Sequence, residues 1–103
     1  MEYKTIITES AESDIASAVH YLAYGPHNQA AAMRLLDDIE RSVASLQETP
    51  ERHPFVKNEH LASSGFRFLP IQNYIVFYIV RKETCSVTIE RFLHSRRDWM
   101  NII

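Results

Sequence analysis

The seven residues from Tyr74 to Val80, YIVFYIV, constrain the fold more than any other stretch of the chain. All seven are apolar or aromatic, and most are β-branched or ring-bearing, which suits a central strand buried on both faces better than a helix. Two more β-rich runs flank it across turn-sized gaps: Phe66 to Pro70 before Gln72-Asn73, and Cys85 to Leu93 after the turn from Arg81 to Thr84. Three such runs in succession predict an antiparallel meander. In the last run, strict alternation sets Val87, Ile89, Arg91 and Leu93 on one face and Thr88, Glu90, Phe92 and His94 on the other. A charged tail follows, His94-Ser95-Arg96-Arg97-Asp98-Trp99, in which Trp99 is expected to anchor a short terminal helix.

Such a sheet needs a cover, and the first half of the chain supplies one. Tyr3 to Thr8 reads as a short strand. Thr8 or Ser10 then caps a helix whose first turn carries Glu9, Glu12 and Asp14, where negative charge complements the helix dipole. Ala11, Ile15, Ala18, Val19 and Leu22 recur at helical spacing as one apolar stripe. Gly25-Pro26 stops this helix, with Gly25 suited to a left-handed stop position. Asn28 caps a second helix running to about Glu48, with the stripe Ala32, Leu35, Leu36, Ile39, Val43 and Leu46. Two helices joined so closely pack as an antiparallel hairpin. The segment Glu51 to Gly65 reads as an irregular loop. The order β-α-α-β-β-β defines an α+β domain, residues 1–103, with an antiparallel sheet covered on one face by the helical hairpin.

The chain has 103 residues, enough for one core without staples, with 46% hydrophobic and 23% charged residues. No stretch approaches the roughly 18 consecutive apolar residues of a membrane span. The start MEYKTIITES lacks a signal-peptide pattern. The single Cys85 excludes an internal disulfide and fits a reducing cytoplasm, as a structural thiol where a strand begins. Eleven Lys and Arg against 13 Asp and Glu leave a net charge of −2. A protein that tracks many phosphates carries the opposite excess, so generic nucleic-acid binding is disfavoured. Arg91, Arg96 and Arg97 still form a local basic group. His20, His27, His53 and His60 show no metal-ligand spacing, so no metal or other cofactor is expected.

Four stretches, in order, resemble the RelE/ParE superfamily of toxins from bacterial type II toxin–antitoxin modules. They are TESAESDIASAVHYL, AAMRLLDDIERSVASLQETPERHP, FRFLPIQNYIVFYIV and IERFLHSRRDW. The last two, with Arg-x-Leu-Pro, Asn-Tyr, Phe-Tyr and then Leu-His-x-Arg-Arg-Asp, are the most specific and resemble the ParE branch. The resemblance implies one of two activities. ParE-like members poison DNA gyrase; RelE-like members enter the ribosome and cleave mRNA with basic residues and a histidine or tyrosine. It also implies an antitoxin partner, whose C-terminal segment wraps the toxin, and contact with DNA only through that antitoxin. The resemblance allows a homodimer or a heterotetramer with the antitoxin, and also a member that has lost toxicity and serves assembly alone.

Cleavage of RNA by its own 2′-hydroxyl needs a base, an acid and cations around the phosphate. His94 has the right chemistry for acid or base, and Arg67 matches a phosphate-binding arginine of RelE-like nucleases. Arg91 or Arg97 could complete a clamp. Against this stand the negative net charge, the few cations between Glu51 and Gly65 (only Arg52 and Lys57), and the absence of an aromatic acid or base beside His94. Each residue also has a structural reading: His94 as a strand cap, Arg67 paired with an acid such as Glu90, and Arg96-Arg97-Asp98 as a solvated turn with an internal ion pair. For partner binding, Tyr74, Tyr78 and Phe68 are candidate rings on a sheet face, with Arg91, Arg96 and Arg97 beside them, since aromatics and arginine dominate interface energetics. Tyr78 reads equally as core. An open sheet edge would also accept a strand from a partner.

Overall fold

The computed structural model describes residues 2–103. Strand β1 (Lys4–Ile7) hands over to helix α1 (Glu9–Tyr24) at Thr8, whose backbone is extended and whose hydroxyl accepts the Ala11 N–H at 3.0 Å. Asn28 caps α2 (Gln29–Leu46) in the same way, through the Ala31 N–H at 3.0 Å. Gly25 ends α1 with φ −65, right-handed and not in the expected left-handed stop; His27, φ 53, makes that turn instead. Glycine is still required there, because a Cβ on residue 25 would stand 2.7 Å from the Tyr21 carbonyl oxygen. The second helix ends at Leu46, slightly before the expected Glu48.

The irregular segment is more ordered than its composition implied. Asn58 caps a short helix α3 (Glu59–Ser63), and Phe55 makes an isolated bridge to Arg67 on β2 (Phe66–Ile71). Val56 N–H donates to Phe66 O at 3.0 Å and Phe68 N–H to Pro54 O at 3.2 Å, so the outer edge of β2 is covered. Strands β3 (Tyr74–Arg81) and β4 (Ser86–His94) complete the expected meander, with Gln72 (φ 56) and Cys85 (φ 47) at the two turns.

The sheet order is β1-β4-β3-β2, and β1 pairs with β4 in parallel. The expectation of a wholly antiparallel sheet is corrected: the sheet is mixed. The chain leaves β1, crosses one face through α1 and α2, and re-enters at the opposite edge. Three meander strands then bring β4 beside β1 pointing the same way, a neighbour relation that only a long crossover permits.

A second correction concerns β4. Tyr78 faces Ile89 while Phe77 faces Arg91, so Glu90 is an extra residue, a β-bulge. The bulge resets the alternation. Phe92 joins Val87 and Ile89 on the helix-facing side, while Leu93 joins Phe77 on the other. The helix-facing core gathers Ala11, Ala18, Leu35, Ile39 and Leu46 against Leu69, Val76, Tyr78, Val87, Ile89 and Phe92. The opposite face is covered as well, by Val56, Leu61 of α3 and the terminal 3-10 turn Trp99–Asn101, whose Trp99 ring lies 5.1 Å from Phe77. Two covered faces account for the unbroken apolar run of β3.

Candidate functional site

Register decides which of the candidate residues meet. Ile71, Tyr74 and His94 lie side by side on neighbouring strands, and Arg67 lies four residues back along β2. Strand geometry therefore separates Arg67 from His94 by about 16 Å, two strands across and four residues along. Arg67 and His94 do not form one site.

Arg67 is held by its own loop. Its Nη1 donates to the His53 carbonyl at 2.7 Å and the Glu51 carbonyl at 3.3 Å. Its guanidinium lies 3.9 Å over the Phe55 ring, and its side chain is 13% exposed. The nearest carboxylate is Glu51 at 3.8 Å, not the expected Glu90. Two carbonyls bind Nη1, a ring covers one face of the guanidinium and a carboxylate stands near Nη2, so this largely buried group leaves little of itself for a phosphate.

Tyr78 is a core residue. It is fully buried, and its hydroxyl donates to the Pro50 carbonyl at 2.7 Å. Burial pushes its pKa up to about 12, against the opposing pull of Arg67 and Arg52. Of the two readings of Tyr78, contact ring and core, the contact ring is corrected: the residue pins the first part of the α2–α3 connection to the sheet. Phe68 is half-buried in the cluster on the far face.

Arg91 is tied down too, by Asp14, which was expected to serve the helix dipole in the first turn of α1, where only Glu9 and Glu12 lie. Its Nε and Nη2 donate to the two carboxylate oxygens of Asp14 at 2.6 and 2.9 Å, and Asp14 Oδ2 also accepts the Phe92 N–H at 3.1 Å. β1 pairs with β4 only as far as Ile89, so the Asp14 carboxylate takes over the ladder where β1 gives way to α1. The forked hydrogen bond to Asp14 raises the Arg91 pKa further.

Tyr74, His94, Arg96 and Arg97 remain, and the fold does bring these four together at the β3–β4 corner. The Tyr74 ring stacks on Phe92 at 4.9 Å and meets the His94 ring edge-on at 5.3 Å. The tail turns back on the strand: Ser95 N–H donates to Asn73 O at 2.8 Å and Arg97 N–H to His94 O at 3.0 Å. His94 Nδ1 accepts the Arg96 N–H at 3.1 Å, which assigns the ring proton to Nε2. His94 thus presents a donor outward, the wrong tautomer for a base acting through Nε2. Arg96 and Arg97 are exposed, and neither pairs with a carboxylate among the described residues. The expected Arg–Asp pair of the tail is absent there, since Asp98 accepts from Asn101 Nδ2 at 2.6 Å. Beside the corner stands Tyr21 of α1, 65% exposed, whose phenol adds to burial in raising the Tyr74 pKa. Its sequence position gave one clue, an aromatic on the polar side of an amphipathic helix. Among the described residues no three His, Cys, Asp or Glu come together as a metal site.

The corner thus offers stacked rings and two free guanidinium groups, an arrangement for binding. The sequence profile described as "ParE toxin of type II toxin-antitoxin system, parDE" matches residues 5–99. Among solved structures, the fold is similar to a chain of the chromosomal ParDE TA system from P. aeruginosa, with a TM-score of 0.68 at 19% identity over 90% of this chain and 96% of that one. It is also similar to a chain of the toxin-antitoxin complex RelBE2 from Mycobacterium tuberculosis, with a TM-score of 0.61 at 21% identity over 91% of this chain and 99% of that one. At these identities the likeness is one of fold. No curated protein matches the chain.

Proposed function

Because the chain belongs to the ParE toxin family of type II toxin–antitoxin systems, we propose that it arrests growth by binding DNA gyrase, and that a cognate antitoxin silences it by covering the same surface. The observation that carries this reading is the fate of the candidate residues. Arg67 and Arg91 are engaged within the fold, His94 lies about 16 Å from Arg67 and offers a donor, and only the Tyr74–His94–Arg96–Arg97 corner is left to meet a partner. A net charge of −2 supports a protein target over a dense polyanion such as the ribosome. A protein with no helix long and apolar enough to cross a membrane among its described residues can reach gyrase in the cytoplasm. Contact with operator DNA falls to the antitoxin.

The test is induction of the chain alone in a sensitive bacterial host, with pulse labelling of DNA and protein. DNA synthesis should fail first, with a damage response and filamentation. If protein synthesis stops first and transcripts are cut, the chain is a ribosome-dependent nuclease; unaffected growth leaves it an assembly partner only.

A further inference from the structure

Phe68 on β2 and Phe77 on β3 are partners across the strands, and Ile75 lies two residues from Phe77 on the same face. These three form the floor of a partly enclosed hollow of about 140 Å³, on the side of the sheet turned away from α1 and α2. Val56, Lys57 and Trp99 complete its wall. No polar atom contributes to that wall, so Lys57 lends it only the methylene stem and holds its ammonium outside, at the rim. The ammonium pairs with no carboxylate among the described residues. Phe68, Ile75 and Trp99, which line the hollow, are only half-buried, whereas Val76 and Tyr78 on the other face of β3 are fully buried.

We propose that this hollow is a binding site for a small aryl carboxylate, a single aromatic ring on a short stem that ends in an anion. Size selects the ring, because an apolar cavity of about 150 Å³ takes up one benzene molecule. The lining selects an aromatic, since the Phe68, Phe77 and Trp99 rings offer faces and edges for offset or edge-to-face packing. Charge selects the head group. An anion on the stem meets the free Lys57 ammonium at the rim, where a cationic head would be repelled.

The wall stands without the ligand. The Val56 N–H donates to the Phe66 carbonyl at 3.0 Å, and the Ile102 and Ile103 N–H groups donate to the Trp99 carbonyl at 3.1 and 2.9 Å. A pocket already formed loses no binding energy to ordering its own walls. The site is also separate from the Tyr74–His94 corner. Tyr74 and Ile75 are neighbours on β3 and point to opposite faces, Tyr74 into the helix-facing core and Ile75 into the cluster with Trp99. An occupied hollow therefore leaves the corner open.

Trp99 is the one tryptophan of the chain, so its indole N–H gives a single resonance in a proton–nitrogen correlation spectrum and reports on the site directly. Titrating the purified full chain with phenylacetate should shift that resonance saturably, with a Kd of about 1 mM or tighter for a ligand of about ten heavy atoms. Phenylacetamide, of the same size but uncharged, should bind roughly threefold more weakly. Lys57→Gln should lower phenylacetate to the level of the amide and leave the amide unchanged. Ile75→Phe, which fills the hollow, should abolish the shift in a protein that melts like the parent. Lack of a saturable shift up to about 10 mM phenylacetate, or a shift undiminished in Ile75→Phe, overturns the site. Equal affinity for acid and amide overturns the anion. Lys57 is exposed, so its variant decides the matter even where Ile75→Phe does not fold. The readout requires no toxicity, so it stands or falls independently of the gyrase reading.

Discussion

The Asp14 carboxylate on α1 holds the Arg91 guanidinium on β4 through two hydrogen bonds of 2.6 and 2.9 Å, and the same carboxylate caps the Phe92 N–H at 3.1 Å. One acidic side chain thus fixes the first helix to the sheet where the β1 ladder ends and just past the Glu90 bulge. Both partners are partly shielded, with side chains 13% and 23% exposed.

Asp14→Ala removes all three bonds and leaves a guanidinium and an N–H without partners. The expected cost is about 2 to 3 kcal/mol, below the full value for a deeply buried pair. For a chain of this length that is a fall in Tm of roughly 10 °C or more. Asp14→Asn keeps an acceptor for the Phe92 N–H and should lose about half as much. Thermal unfolding of the three proteins checks the order.

Tyr78→Phe should cost about 1 to 2 kcal/mol, because the Pro50 carbonyl loses its buried donor. Alkaline pH gives an independent readout. The folded pKa of about 12 lies above the unfolded value of 10, so the fold favours the protonated phenol. This contribution is fully present below pH 10 and is lost as the pH rises through about 12. A urea titration series should show that loss in the parent and a flatter profile in Tyr78→Phe.

His53 predicts the acid side. Burial, then Arg52, lowers its pKa from 6.5, and its Nε2 is buried without a partner among the described residues. The fold favours the unprotonated ring, so the unfolded chain binds the proton first. Stability is undiminished above pH about 6.5 and falls as the pH drops toward the lowered folded value. His53→Leu should flatten the stability profile between pH 7 and 5.5, measured by chemical denaturation. An unchanged slope would assign the acid sensitivity to other groups.

The two sets of arginines should separate cleanly. Arg96→Glu with Arg97→Glu should weaken growth arrest at least tenfold, while surface substitutions of this kind move stability by no more than about 0.5 kcal/mol each. Arg67→Ala should lower stability by about 1 to 2 kcal/mol, through the loss of its bonds to the 51–53 carbonyls and its stacking on Phe55. Induction assays beside thermal melts of the same variants distinguish the two effects.

Much of the fold was legible because it is written locally. The 3–4 spacing of α1 and α2, the caps Thr8 and Asn28 and the apolar run of β3 each act within a few residues of themselves, and the element order followed from them. Of the residues expected at a functional site, Tyr74, His94, Arg96 and Arg97 could be grouped in advance, because Tyr74 and His94 end the same antiparallel strand pair and the two arginines follow directly. Tyr21 and Asp14 could not, since their partners lie across the fold; Asp14 is 77 residues from Arg91.

The sequence by itself determined where the four strands and the helices α1 and α2 begin, to within a residue, though not the short α3. It also determined which helix faces are apolar, and that Trp99 anchors the tail, because side-chain period and capping are short-range physics. Tertiary structure decided the parallel pairing of β1, the bulge at Glu90, the burial of Tyr78 and the capture of Arg67 and Arg91. The run from Val87 to His94 shows why: with two charged residues, Glu90 and Arg91, at its middle, its pattern is nearly the same with or without an inserted residue. The packing of Phe92 against the helices and Leu93 against Phe77 selects the bulged register, and that choice exists only once both faces of the sheet are covered.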